Sequence, residues 1–146
     1  MTTPKLTAIE VREFIQDKVE KNRLLDDVEF SDTQIMLAMG IAVDEYNIFI
    51  PATAVTIDSF PNKAVLLNGT LAKLFMGQAA LLARNHMSYT DGGITIPIEE
   101  RMQLYQSLAA MYQTAFETMG KTIKLQNNID SNWSIVPSDY AAFPLF

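Results

Sequence analysis

The chain has 146 residues, which suits one domain, and hydrophobic residues make up 49% of it while charged residues make up only 19%. The absence of cysteine excludes disulfides and thiolate chemistry, and the single histidine excludes a multi-histidine metal site. Seventeen acidic residues against eleven basic ones give a net charge of −6, which argues against sequence-independent binding to nucleic acid phosphates.

Two capping boxes mark the starts of the first two predicted helices. Thr7-Ala8-Ile9-Glu10 opens the first, and Ser31-Asp32-Thr33-Gln34 opens the second. The first continues with apolar residues at helical spacing, namely Val11, Phe14, Ile15 and Val19. The second has an apolar face that carries Ile35, Ala38, Met39, Ala42, Val43 and Tyr46. Because Leu37 and Ile41 lie on the opposite side, the second helix predicts a second apolar surface.

The helical pattern breaks from Asn47 to Pro61. Ile48 to Pro51 is too short for a core strand, and the β-branched stretch Thr53 to Ile57 is a candidate partner for it. The sequence therefore predicts either a short extended excursion or a small hairpin.

The third predicted helix, Asn62 to Met87, is apolar on almost every side, which is typical of a central helix. Gly69 and Gly77 belong to a stripe of small residues, and glycine inside a helix costs up to ~1 kcal/mol relative to alanine. Their presence predicts close approach by another helix or another subunit. We assign four residues to packing between subunits: Leu37, Ile41, Gly69 and Gly77.

No membrane segment is expected. The most apolar stretch, Ala64 to Ala83, is interrupted by Asn68, Gly69, Thr70, Lys73 and Gln78, whereas a membrane span needs ~20 residues that are nearly all apolar. The polar N-terminus, Met1 to Thr7, lacks the apolar core of a signal peptide. The third helix is therefore interpreted as a buried helix of a protein made in the cytoplasm.

A turn at Ser88 to Gly93 and a short extended piece precede the fourth predicted helix. This helix runs from about Ile98 to about Asn127 and is ~45 Å long. Its apolar stripe comprises Tyr105, Leu108, Tyr112, Ala115, Phe116, Met119 and Ile123. The fold class is therefore mainly all-α, a four-helix bundle with two long helices over residues 1–127.

Residues 128–146 form an apolar tail without helical or strand periodicity. Disordered tails are polar, so this composition favours an extended arm that docks in a groove of its own domain or of a neighbour. The arm residues expected to bind are Trp133, Tyr140, Phe143, Pro144, Leu145 and Phe146.

The polar residues predict no catalytic site, metal or cofactor. His86 is best explained as a cation near a helix C-terminus. The acidic cluster Asp26, Asp27, Glu29 and Asp32 lacks the spacing and central glycine of a calcium loop. Asp91-Gly92-Gly93 has no following lysine, so it is interpreted as a turn rather than a phosphate loop.

Two stretches resemble small virion proteins of tailed bacteriophages, of the head-to-tail connector or adaptor type. The first is Leu24 to Asp32, which leads into a helix ending in Ala42-Val43-Asp44-Glu45-Tyr46-Asn47. The second is Leu82 to Gly93, followed by a long amphipathic helix. With their helices, these stretches span most of the chain from Leu6 to about Asn127.

The resemblance implies a helical, non-enzymatic subunit of the virion neck, at the interface of head and tail. Such proteins form a ring, commonly of twelve copies, beneath the portal protein, and they contact a downstream neck or tail protein. Double-stranded DNA passes through the ring without specific binding. The family also uses chain termini as arms that reach the portal or a neighbouring subunit.

Two other functions compete with this one. A tail-completion or tail-terminator virion protein is the first, and many of those are rich in strand. A small helical ligand-binding protein or enzyme is the second. It would need a polar constellation built from His86 with Asp26, Asp27 and Asp91.

Overall fold

The computed structural model of the chain describes residues 5–22, 27–85, 90–91, 94–95 and 98–133. Its helices are α1 (Ala8–Ile15), α2 (Asp32–Ile48), α3 (Lys63–Arg84) and α4 (Ile98–Trp133). Two-residue strands, β1 (Thr90–Asp91) and β2 (Ile94–Thr95), pair antiparallel with Thr90 opposite Thr95. The mainly α-helical bundle predicted from the sequence is confirmed.

Both predicted capping boxes are present. The Thr7 hydroxyl accepts a hydrogen bond from the Glu10 amide, and the Glu10 carboxylate accepts one from the Thr7 amide. Ser31 and Gln34 make the same reciprocal pair at the start of α2. However, α1 is shorter than its apolar pattern predicts, because Gln16 adopts a left-handed conformation with φ of 58° and ends the helix.

The inner face of α2 is the predicted one, since all six of its apolar residues are buried. The segment after α2 has no strand, so the hairpin alternative for residues 47–57 is wrong and the extended excursion is correct. The side-chain amide of Asn47 replaces a strand partner there. Its nitrogen donates to the Val55 carbonyl at 2.9 Å, and its oxygen accepts from the Val55 amide at 2.9 Å.

The core lies where α2 and α4 pack against α3. Tyr46 and Phe116 are buried there, and the ring of Phe49 lies 6.2 Å from Tyr46 and 5.5 Å from Phe116. Aromatic pairs of this kind stabilise a core by roughly 0.5–1.5 kcal/mol each beyond their buried area. They hold the C-terminal end of α2 against the middle of α4.

Gly69 lies inside this core and not on a surface. A Cβ at this position would lie 2.8 Å from the Phe116 ring and 2.9 Å from the Ala42 Cβ. The close approach predicted for Gly69 is therefore made by α4 and α2 of the same chain. Its assignment to packing between subunits was wrong, because no neighbouring molecule can reach a buried backbone atom.

Among the described residues, α3 is the one helix whose length and composition would allow it to cross a membrane. Half of that stretch is buried against the rest of the protein. The core helix of a water-soluble protein has the same properties, so this is weak evidence for a span.

The fourth helix continues beyond the predicted boundary and has 36 residues, a length of ~54 Å. Ile129 follows Leu125 at helical spacing, and the Ser131 hydroxyl donates to the Asn127 carbonyl one turn earlier at 2.7 Å. The start of the arm at residue 128 was therefore wrong, and Trp133 is the last residue of α4. The other predicted arm residues, Tyr140, Phe143, Pro144, Leu145 and Phe146, lie outside the described residues.

Candidate interaction site

An apolar groove of about 360 Å³ runs between α2 and α3. Three of the four residues predicted to pack between subunits, Leu37, Ile41 and Gly77, meet in it. The complete lining is Phe30, Gln34, Leu37, Ala38, Ile41, Lys73, Leu74, Gly77, Gln78, Leu81 and Arg84. We refer to it as the α2/α3 groove.

The groove follows from the residues that each helix presents. Leu37 and Ile41 are one helical turn apart on α2, and their exposed fractions are 63% and 44%. On α3, no atom lies within 4 Å of a Cβ built on Gly77, so the backbone leaves open space at the bottom of the groove. Leu81 completes the apolar wall. Contiguous exposed apolar surface of this kind is typical of interaction sites.

The charge of the groove differs from that of the whole chain. Lys73 and Arg84 line it, and no carboxylate does. Lys73 is held by an ion pair with Glu45 at 2.5 Å and by a hydrogen bond to Gln113 at 3.1 Å, while Arg84 is exposed at the end of α3. Because Glu45 balances the charge of Lys73, the charge that the groove presents to a partner is that of Arg84.

A second exposed apolar surface lies along α4. Its members repeat at spacings of three and four residues or their sums, which places them on one side of the helix. We call it the α4 stripe: Leu104, Leu108, Met111, Met119, Leu125 and Ile129 are all exposed by 37% or more.

The residues of the single apolar stripe predicted for this helix divide between a buried face and an exposed face. Phe116 is buried and Tyr105, Tyr112 and Ile123 are partly buried against the core, whereas Leu108 and Met119 belong to the α4 stripe. Sequence reasoning missed Leu104, Met111, Leu125 and Ile129. The spacing 104–108–111 and 125–129 was the signal that could have found them.

The acidic residues near the start of α2 serve the fold. The hydroxyl of Tyr105 donates to the Glu29 carboxylate, which also accepts a hydrogen bond from Gln78 at 3.0 Å. Burial, together with this hydrogen bond to a carboxylate, raises the pKa of Tyr105 to about 12. Asp32 pairs with Arg12 at 2.6 Å. Within the described residues, no three acidic or histidine side chains form a group that could hold a metal.

Four of the residues weighed for chemistry cannot be placed. Asp26, His86, Gly92 and Gly93 lie outside the described residues.

Lys124 is a buried cation that the sequence analysis did not single out, and its contacts also serve the fold. Its ammonium donates to the carbonyls of Phe49 at 2.7 Å and Pro51 at 2.9 Å, and it lies 4.5 Å from the centre of the Tyr46 ring. Burial lowers the pKa of Lys124. These contacts fasten α4 to the segment that follows α2.

No protein-family model matches the sequence, no curated protein matches it, and no solved structure matches the chain. The features of the structure that bear on function are therefore the two exposed apolar surfaces and their charge.

Proposed function

We propose that the protein is a structural, non-enzymatic subunit of a head-to-tail connector ring in a tailed bacteriophage. The observation that carries this proposal is the α2/α3 groove, in which Leu37 and Ile41 remain exposed on a folded helical chain. The resemblance of the sequence to virion connectors supplies the biological setting, the neck of the virion.

A ring of identical subunits needs two different contact surfaces on each copy, because its contacts are heterologous. The α2/α3 groove and the α4 stripe lie on different helices, so each copy can present both at once. This pair of surfaces supports assembly into a ring. The proposed partners are further copies of the chain, the portal protein and a downstream neck or tail protein.

The charge of the chain fits a conduit for double-stranded DNA. Proteins that bind DNA through its phosphates present basic surfaces, and the affinity grows with the number of phosphates neutralised. This chain carries a net charge of −6. A ring built from it would let DNA slide through without gripping the backbone.

The helical architecture also favours a connector over the competing tail-completion or tail-terminator protein, because many of the latter are rich in strand. The described residues contain only the two-residue strands β1 and β2. The polar clusters at Glu29 and Lys124 hold segments of the fold together, which gives the ligand-binding alternative no support.

The experiment that tests the proposal is sedimentation velocity of the full chain mixed with the portal protein of the same virus. We expect co-sedimentation in a fixed number of copies for each portal. Deletion of Ser138 to Phe146 should keep the helical far-ultraviolet dichroism of the protein but abolish binding to the portal. Equal binding by the shortened chain would overturn the role of the arm, and no binding by the full chain would overturn the connector role.

A further inference from the structure

We infer that two copies of this chain associate by placing the α4 stripe of one copy in the α2/α3 groove of the next. The inference rests on the proposed ring, which requires two unlike surfaces that fit each other. The occupant of the groove is a helix of a second copy. The segment of that helix is Glu100 to Met111.

The two surfaces match in length. The α3 wall of the groove runs from Lys73 to Arg84, a rise of ~17 Å along the helix. The part of α4 from Glu100 to Met111, which carries the stripe residues Leu104, Leu108 and Met111, has the same rise of ~17 Å. Three turns of one helix therefore span the groove from end to end.

The two surfaces also match in shape. Leu104, Leu108 and Met111 stand at positions i, i+4 and i+7, which is the pattern by which an amphipathic helix anchors itself in an apolar groove. Gly77 provides the space at the bottom, since nothing lies within 4 Å of its hypothetical Cβ. Leu37 provides an exposed apolar wall on the α2 side.

Charge selects the direction of the incoming helix. Arg84 lies at the C-terminal end of the groove, and Glu100 is exposed in the first turn of α4, just before the stripe. An α4 helix that runs antiparallel to α3 of the neighbour brings Glu100 beside Arg84. The same direction places the positive N-terminal end of one helix near the negative C-terminal end of the other. Arg101, on the other flank, interacts with Tyr105 of its own chain.

Such a contact leaves one groove and one stripe unused on every pair of copies. It therefore propagates from head to tail and ends only when a ring closes. A symmetric dimer is not expected from it, and this difference makes the contact testable by mixing two variants.

The test uses Leu37→Asp, which places a charge in the groove, and Met111→Asp, which places one in the stripe. Both residues are about half exposed or more, so neither change disturbs the core. Light scattering should find that each variant alone is a monomer. An equimolar mixture should give a complex of one copy of each and no larger species, because only one intact groove and one intact stripe remain.

The matched control is Gln103→Asp, an exposed polar position on α4 outside the stripe. It adds the same charge and should assemble as the wild-type chain does. Arg84→Glu should weaken association about two- to five-fold, the range for an exposed ion pair, and Glu100→Arg in the same chain should restore it.

Three results would contradict the proposed contact between the α4 stripe and the α2/α3 groove. The first is assembly of both aspartate variants like the wild type, which would place the contact elsewhere and leave the connector role standing. The second is a mixture that contains only monomers while the wild type assembles. The third is a wild-type chain that stays monomeric at every concentration. If that monomer still joins the portal in a fixed number of copies, the contact fails and the connector role survives.

Discussion

Glycine has two different roles in α3. Gly69 is required for packing, since a Cβ there would meet the Phe116 ring at 2.8 Å, whereas Gly77 has open space around it. The sequence gives no means to tell them apart, because both belong to the same stripe of small residues. Which helix covers each glycine depends on tertiary packing that no local pattern encodes.

The two glycines should therefore respond in opposite ways to alanine. Gly69→Ala should lower the free energy of unfolding by about 1–3 kcal/mol, since the core is overpacked. Gly77→Ala should raise it by about 0.5–1 kcal/mol through helix propensity. Urea denaturation followed by circular dichroism at one low protein concentration measures both.

Gly40→Ala is the matched control for helix propensity, because Gly40 lies within α2 and also has nothing within 4 Å. It should behave like Gly77→Ala. If Gly69→Ala were as stabilising as Gly40→Ala, the close packing of α3 against Phe116 would be wrong.

Tyr105 makes the free energy of unfolding depend on pH in the alkaline range. Its pKa is raised to about 12 in the folded chain by burial and by the Glu29 carboxylate, against about 10 when unfolded. Because the folded state holds the proton more tightly, the stabilisation is complete below pH ~10 and is lost as the pH rises toward ~12. The free energy of unfolding of the wild-type chain should therefore fall as the pH rises through this range.

The variant Tyr105→Phe should lose less stability than the wild type between pH ~10 and ~12, by about 1 kcal/mol. Part of the dependence should remain, because burial also raises the pKa of Tyr46. Urea denaturation at a series of pH values measures the difference. Identical losses in the two proteins would show that Tyr105 is not buried against Glu29.

The helices themselves were largely predictable. The two capping boxes and the buried face of α2 follow from local spacing, and the structure has them as expected. The early end of α1 and the path of residues 49–62 were not predictable. They depend on Gln16 in a left-handed conformation and on the side-chain amide of Asn47, and neither leaves a periodic signal.

Asp17 holds the end of α1 against the segment that leads into α2. Its buried carboxylate accepts hydrogen bonds from the backbone amides of Glu29 at 2.7 Å and Phe30 at 3.0 Å, so it ties the end of α1 to the segment before α2. Asp17→Ala should lower the free energy of unfolding by about 3 kcal/mol, because buried amides lose a charged acceptor.

The control for Asp17→Ala is Asp58→Ala. Asp58 pairs with Lys5 on the surface, where ion pairs contribute at most ~1 kcal/mol. Chemical denaturation should separate the two variants clearly. Equal effects would mean that Asp17 does not hold the segment at residues 29 and 30.

For the whole molecule, the class of fold and the surplus of apolar surface were predictable from composition and periodicity. Of the interaction site, Leu37, Ile41 and Gly77 were predicted and do meet in one groove. The α4 stripe was not separated from the buried face of the same helix. Two apolar faces on one long helix merge in a sequence pattern, and only the position of α3 divides them.

The most direct measurement is the mass of the purified full chain in solution by light scattering, over a range of concentrations and with the portal added. A self-assembling connector predicts a defined multiple of the 16.3 kDa chain, alone or on the portal, with no continuous growth. A strict 16.3 kDa monomer at every concentration, unchanged by the portal, would contradict it.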